Sequence, residues 1–321
     1  MIHVERRSDL PEHMHVTRIF INPEQHRARA GWRLLIQLAL FAALLLGLDA
    51  LSKALGAGPG ATLTVSLLYL TAGPALMVAV ARRLDHRRFA DLGLHVDGRW
   101  WMDFGFGLFI GAFMMSGIFF TERSMGWVTV TGTAATNYAL PITLAVLIKL
   151  VFWVAAGVNE ELVFRGYQLR NLAEGFMGRL FRPRAALVLA ALVSSALFGF
   201  AHAANPSATA ISTANIVLGG LLMSLPVLLT GELAMPIGLH IAWNLFQGTV
   251  YGFPVSGSAS RTHLLTVQQT GPTLWTGGAF GPEAGLLGVC WVVASSGLVV
   301  AWCRAWGRRS ELAARPAEVV A

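Results

Sequence analysis

Long apolar runs recur along the chain, separated by shorter polar segments. Eight of them come near the ~20 residues that a helix needs to cross the hydrocarbon core of a bilayer. The runs cover 34–54, 62–82, 101–120, 140–158, 185–202, 211–229, 234–251 and 285–303. The pattern predicts an all-α polytopic membrane protein with about eight transmembrane helices. In the third run, Gly107 and Gly111 have the spacing that predicts close helix packing.

The arginine-rich segments between these runs all fall on one side of the predicted membrane. Arginines crowd the segment before the first run and the segments after the second, fourth and eighth runs. Basic loops stay on the cytoplasmic side of a membrane, so we expect both termini in the cytoplasm. The expected organisation is a cytoplasmic tail at 1–33, a transmembrane domain at 34–303 and a cytoplasmic tail at 304–321. The excess of arginine over lysine suggests a bacterial source, and thus the inner membrane.

Composition agrees with this class of protein. Hydrophobic residues make up 55% of the chain and charged residues 13%, whereas soluble domains carry about 25% charge. The net charge of +7 could suggest nucleic-acid binding, but the basic residues lie beside apolar runs, as the orientation rule requires. We therefore expect membrane lipid as a partner and no nucleic acid.

A cluster of charge interrupts the fourth run, in the motif Asn159-Glu160-Glu161-Leu162-Val163-Phe164-Arg165. Ionisable groups at membrane depth are costly and therefore mark function. If the helix continues, Glu161 and Arg165 pair at i and i+4. The side chain of Glu160 then projects from a different face of the helix and has no such partner. An unpaired carboxylate in apolar surroundings suits a general base. The alternative is that these charges belong to a solvated helix end.

Further polar residues lie in later apolar runs. His202 ends the fifth run, and His240 and Asn244 share one face of the seventh. Each alone has a structural explanation, as a packing residue or an interhelical hydrogen bond. Together with Glu160 they supply groups that can deprotonate a water and donate to an oxyanion. Lys149 lines the same cavity or snorkels to an interface, and we assign it no catalytic role.

These motifs resemble a known family. The patterns Glu-Glu-x-x-x-Arg at 160–165, Phe-x-x-x-His at 198–202 and His-x-x-x-Asn at 240–244 are similar to those of the CPBP intramembrane proteases. This family comprises CAAX proteases and bacteriocin-processing enzymes and is also called the Abi or Ras-converting-enzyme family. The resemblance covers a motif core at about 140–250. It implies an eight-helix endopeptidase that cleaves a protein or peptide substrate near its terminus, in a cavity within the bundle.

The resemblance also implies a role for each motif residue. By position, Glu160 and His202 activate water. His240 and Asn244 form the oxyanion site. The supporting residues are Glu161, Arg165 and Phe198.

Zinc is the main chemical alternative. Glu160, His202 and His240 are residue types that bind zinc, and three protein ligands suffice for a catalytic site. The chain lacks His-Glu-x-x-His, and zinc would occupy the groups that a glutamate-dependent mechanism needs. We therefore favour an enzyme without metal or cofactor and keep a zinc-dependent protease as the alternative.

Two other functions compete with proteolysis. A transporter or channel also carries intramembrane charge, but it predicts repeated broken helices in two halves, and we find no such repeat. A non-catalytic immunity or scaffold protein would be expected to lose motif residues, whereas this chain keeps them all.

The positions of the motifs along their spans create one geometric requirement. His202 can meet Glu160 only if the fifth span is displaced, tilted or short, and we expect the site in the cytoplasmic half of the membrane. The connection 252–284 is rich in Ser, Thr and Gly and is expected to be flexible. It either covers the outer mouth of the site or serves as a plain connector.

Overall fold

The computed structural model describes residues 19–22, 25–56, 58–177 and 181–306. Most of the two predicted tails therefore lies outside the described residues. The helices are α1 (Ala30–Leu55), α2 (Pro59–Leu84), α3 (Gly98–Ser124), α4 (Ile142–Glu161), α5 (Leu169–Phe176), α6 (Pro183–Ala201), α7 (Ala210–Thr230), α8 (Ala234–Asn244), α9 (Thr273–Thr276) and α10 (Leu286–Trp306). The strands are β1 (Ile21–Asn22), β2 (Arg27–Ala28), β3 (Val128–Thr136) and β4 (Thr262–Gln269).

Seven helical segments of the described chain are long and apolar enough to cross a membrane. They correspond to seven of the eight predicted spans, which confirms the all-α polytopic fold. The fourth extends well beyond the predicted 140–158, because α4, a π-helical turn at Leu162–Gln168 and α5 form one 35-residue helix, Ile142–Phe176.

The span predicted at 234–251 is shorter than the other seven. Here α8 has 11 residues and the π-helical turn that follows it, Leu245–Val250, has 6, together roughly 25 Å of helix rise. Nearly every residue of α8 is buried. A helix enclosed by other helices does not have to match the thickness of the lipid around the bundle.

Local sequence determines where several helices begin. The Asp97 side chain accepts a hydrogen bond from the Trp100 amide at the start of α3. Thr209 and Ser212 form a reciprocal capping box at the start of α7, which satisfies amide groups that have no partner within the helix. Pro183 occupies the first turn of α6, where the missing amide hydrogen costs nothing.

Helices α3 and α8 pack together at very short range, as the glycine spacing in α3 predicted. A Cβ atom added at Gly111 would lie 2.4 Å from the Leu239 carbonyl oxygen. One added at Gly238 would lie 2.3 Å from the Phe104 carbonyl oxygen. The two backbones are therefore in direct contact, which fixes the position of the motif carried by α8.

A two-stranded antiparallel sheet lies outside the helices and was not predicted. Strand β3 pairs with β4 from Val128 opposite Gln269 to Thr136 opposite Thr262. The connection 252–284 contains β4 and several short helical turns, so the expectation of a flexible segment was wrong. Val and Thr are frequent in the strands of this sheet, which favours β structure. The long apolar runs nevertheless dominated the prediction from the sequence.

Candidate active site

A cavity of about 290 Å³ lies within the helix bundle. It is lined by the four residues predicted to be catalytic, which come from three separate parts of the chain: Glu160, His202, His240 and Asn244. Phe198 and Lys149 also line it. The structure therefore brings the predicted residues to one polar site with largely apolar walls.

Glu160 faces this cavity from the last turn of α4. Its side chain is 25% exposed, and its Oε2 atom lies 3.8 Å from Nε2 of His240. Within the described residues, Oε2 has no hydrogen-bond partner. Glu160 therefore contributes a partly exposed carboxylate side chain to the cavity wall.

Glu161 and Arg165 form the ion pair that their spacing predicted. Nη1 of Arg165 donates to Oε1 of Glu161 over 3.0 Å, and both side chains are fully buried. Nη2 of Arg165 donates to the Gly220 carbonyl oxygen. The guanidinium also lies 4.4 Å from the centroid of the Phe198 ring, within the range of a cation–π contact. Arg165 therefore ties α4 to α6 and α7.

The same carboxylate has a partner that sequence spacing did not reveal. Oε1 of Glu161 lies 2.8 Å from Nδ1 of His240. Because an ionised carboxylate can only accept, Nδ1 carries the hydrogen of this bond. Glu161 thereby turns Nε2 of His240 towards Glu160 and the cavity. The two residues are 79 positions apart, and no local pattern links them.

His202 is held by its own helix end. Its Nδ1 lies 2.8 Å from the Phe198 carbonyl oxygen, so Nδ1 is the donor of this bond and Nε2 of the neutral ring is an acceptor. The Phe198 ring packs edge to face against both imidazoles, with centroids 4.8 Å from His202 and 6.0 Å from His240. Phe198 is therefore an apolar spacer between the two histidines.

Asn159 is a neighbour of the site to which the sequence assigned no role. Its Nδ2 donates to the carbonyl oxygens of Tyr69 and Ala155. A Cβ atom added at Gly73 on α2 would lie 1.7 Å from Oδ1 of Asn159. This close contact fixes α2 against α4 directly beside Glu160. The sequence signal that could have identified Asn159 is its position as a polar residue at the end of an apolar run.

Glu283 is a buried carboxylate at the cavity that sequence reasoning missed. Its carboxylate accepts hydrogen bonds from the Ser256 amide and from Nε1 of Trp243, the latter over 3.4 Å. Burial raises the pKa of Glu283 above its ordinary value of 4.5. These bonds fasten the connection 252–284 to α8, and Ser256 itself lines the cavity. The connection therefore covers the site rather than merely joining two helices.

The cavity lies nearer one end of the helix bundle than the other. Asn205, Ser256 and Ser258 line the cavity, and they belong to the two arginine-poor connections. The site thus lies towards the end of the bundle opposite the arginine-rich loops. The cause is the continuation of the fourth helix to Phe176, which puts Glu160 near the middle of a long helix instead of near its end.

The side-chain positions bear on the zinc alternative. Among the described residues, no group of three His, Cys, Asp or Glu side chains is placed to hold a metal ion. Glu160 and His240 are near each other, and the bond from Nδ1 of His240 to Glu161 would suit a metal-binding Nε2, but among the described residues no third His, Cys, Asp or Glu joins them. The residues as arranged do not form a ready three-ligand zinc site, and no step below is assigned to a metal.

The fold and the cavity define a polytopic membrane protein with a buried polar site. Residues 142–246 match the family model described as type II CAAX prenyl endopeptidase Rce1-like. The match spans about a third of the chain and contains all three motifs. This core of the chain is therefore similar to peptidases of the CAAX-protease type. No curated protein and no solved structure matches the chain.

Proposed function

We propose that this protein is a glutamate-dependent intramembrane endopeptidase that cleaves a protein or peptide near its terminus. The observation that supports it best is the convergence of a carboxylate, two histidines and an amide on one cavity. In this proposal Glu160 and His202 hold a water between them. Glu160 takes one proton from that water, and the resulting hydroxide attacks the scissile carbonyl carbon.

The tautomer of His202 suits this role. Its Nδ1 donates to the Phe198 carbonyl, which leaves Nε2 to accept a hydrogen bond from the water. Glu160 then passes its proton to the nitrogen of the leaving amine as the C–N bond breaks. The carboxylate returns to its ionised form, so the cycle needs no external acid or base.

His240 and Asn244 stabilise the negative charge that develops on the carbonyl oxygen. The amide of Asn244 faces the cavity and donates directly. His240 donates from Nε2 only when both ring nitrogens carry hydrogen, and the carboxylates of Glu161 and Glu160, at 2.8 and 3.8 Å, compensate that positive charge. One such donor contributes about 3–4 kcal/mol to transition-state stabilisation.

Hydrolysis of synthetic peptides tests this function. Purified protein in lipid nanodiscs is incubated with labelled decapeptides that have apolar carboxyl-terminal residues, and products are identified by mass spectrometry. Glu160→Gln should lower kcat by roughly 10²–10⁴-fold, as expected for loss of a general base. Glu122→Gln is the matched control, because Glu122 is buried but bonds Gln269 away from the cavity. Full activity of Glu160→Gln would refute the mechanism.

The proposal also includes the orientation of the chain. The arginine-rich segments favour an orientation with both termini in the cytoplasm. In that orientation the cavity mouth, among the arginine-poor connections, faces the other side of what we take to be the bacterial inner membrane. Carboxyl-terminal fusions to a reporter active only in the cytoplasm test this. A reporter that is active only on the far side would reverse the orientation.

A further inference from the structure

A short stretch of main chain in the wall of the cavity has hydrogen-bonding groups that the fold leaves open. Ser258, Ala259 and Ser260 are consecutive residues of the connection 252–284, and all three line the cavity. Their side chains are small, and Ala259 is exposed. Within the described chain, no hydrogen bond engages the backbone amide or carbonyl group of Ala259 or Ser260. The cavity wall therefore offers both donors and acceptors from its backbone.

The fold fixes this stretch on its amino-terminal side. Val255 and Ser258 exchange two backbone hydrogen bonds, of 2.9 and 2.8 Å. The two residues between them, Ser256 and Gly257, have positive φ angles of 46° and 79°, which is the geometry of a type I′ turn. A Cβ atom added at Gly257 would lie 1.7 Å from the Pro206 carbonyl oxygen. The turn is therefore held firmly against the connection between α6 and α7.

The stretch is fixed on its carboxyl-terminal side as well. The Arg261 carbonyl oxygen accepts a hydrogen bond from the Asn137 amide over 3.0 Å, and β4 pairs with β3 from Thr262 onwards. The other edge of β4 is covered, since a Cβ atom added at Gly252 would lie 2.2 Å from the Leu265 carbonyl oxygen. Because the main chain is held on both sides, it loses little conformational freedom when a ligand binds the open stretch.

We propose that this open stretch binds the substrate as an added β-strand, centred on Ala259. This inference rests on the proposed function and specifies how the site holds its peptide. One residue of the peptide would exchange main-chain hydrogen bonds with Ala259, while its chain neighbours direct their N–H and C=O groups to the opposite side. The pairing keeps the peptide extended in the cavity that Glu160 also lines. Affinity then comes from the peptide backbone rather than from particular side chains.

An N-methyl scan of the peptide tests this inference without altering the binding surface. The labelled decapeptide of the hydrolysis assay is made with each amide N–H in turn replaced by N-methyl, which removes one donor and keeps every side chain. Affinity for Glu160→Gln protein in zwitterionic nanodiscs is measured by fluorescence anisotropy. Methylation of the paired residue should weaken binding by roughly tenfold, the effect of one lost hydrogen bond. Methylation of either neighbour should leave the affinity of the parent peptide, because those groups face away from the paired edge.

Two variants of the protein locate the pairing on this stretch. Ala259→Pro, in the Glu160→Gln background, removes the amide donor; the parent peptide should bind roughly tenfold more weakly, and the differences among the methylated peptides should disappear. Ala259→Val is the matched control, because it keeps the amide and favours extended backbone. It should keep both the affinity and the pattern. Thermal unfolding of each variant shows whether the fold is retained, and the scan on Glu160→Gln protein stands even if the proline variant unfolds.

Several outcomes would overturn the inference. These are equal affinity for all methylated peptides, loss of affinity at two adjacent residues, and no binding of the parent peptide. A pattern that survives Ala259→Pro in folded protein would also overturn it. Hydrolysis by the protein without substitutions is a separate measurement. If the parent peptide binds with the expected pattern but is not hydrolysed, the proposed function fails and the peptide-binding surface stands. If it is hydrolysed but no position is sensitive to methylation, the strand inference alone fails.

Discussion

Loss of either partner of the buried Glu161–Arg165 pair should destabilise the fold severely. Both side chains are fully buried, and Arg165 has no second carboxylate within hydrogen-bond distance among the described residues. Removing one member of such a pair leaves a buried charge without compensation, at a cost of about 3–5 kcal/mol. We therefore expect Glu161→Gln and Arg165→Met each to lower the free energy of unfolding by about that amount.

The double variant separates the ion pair from the rest of each side chain. Because Glu161→Gln/Arg165→Met contains neither buried charge, its loss of stability should be smaller than the sum of the single losses by about 1–3 kcal/mol. Unfolding in mixed micelles, followed by tryptophan fluorescence, measures all three variants. The exposed pair Lys53–Asp49 has the same i, i+4 spacing and serves as the control. Neutralising either of its members should change stability by no more than about 0.5 kcal/mol.

The double variant should separate the effect on stability from the effect on hydrolysis. Glu161 also orients His240, so the double variant should regain stability without regaining hydrolysis. Additive losses in the double variant would contradict the buried pair. A double variant with full activity would show that the Glu161–His240 bond is dispensable.

Three further predictions concern packing, pH and metal. Gly111→Ala places a methyl group against the Leu239 carbonyl oxygen and should displace α8 and abolish hydrolysis, whereas Gly105→Ala, which meets nothing within 4 Å, should remain active. Because the pKa of Glu283 is raised in the fold, stability of the covering connection should be complete below pH 4.5 and decline as pH rises towards the folded pKa; hydrogen exchange should show this decline, and Glu283→Gln should remove it. Elemental analysis of active protein should find far less than one zinc per chain, and chelators should not slow hydrolysis; one tightly bound zinc required for turnover would instead establish the zinc-dependent alternative.

Local spacing predicted the features of the site that lie on a single helix. The Glu161–Arg165 pair follows from four-residue spacing, and close packing of α3 follows from Gly107 and Gly111. The Glu161–His240 bond could not be found this way, because it depends on how two distant helices dock. The same holds for Glu283, whose donors come from the covering connection and α8.

Hydropathy failed where helices are enclosed by protein rather than lipid. The predicted fourth span stopped at 158 because charge begins at Glu160, yet the helix continues to Phe176. Charge is tolerated there because other parts of the fold supply hydrogen-bond partners. The carbonyl oxygen of Gly220 accepts from Arg165, and that of Gly231 accepts from Arg170. An average over ~20 residues cannot distinguish a charged residue with such partners from one that ends a span.

The charged side chains of the cavity differ in how many hydrogen-bond and ion-pair partners the fold gives them. Glu161 bonds both Arg165 and His240, so its charge is compensated by the fold itself. Glu160 has only His240, at 3.8 Å, and Lys149 has only aromatic rings among the described residues. A water held beside Glu160 would supply the hydrogen-bond donor that the fold does not, which is the physical reason to centre the proposed hydrolysis on this carboxylate.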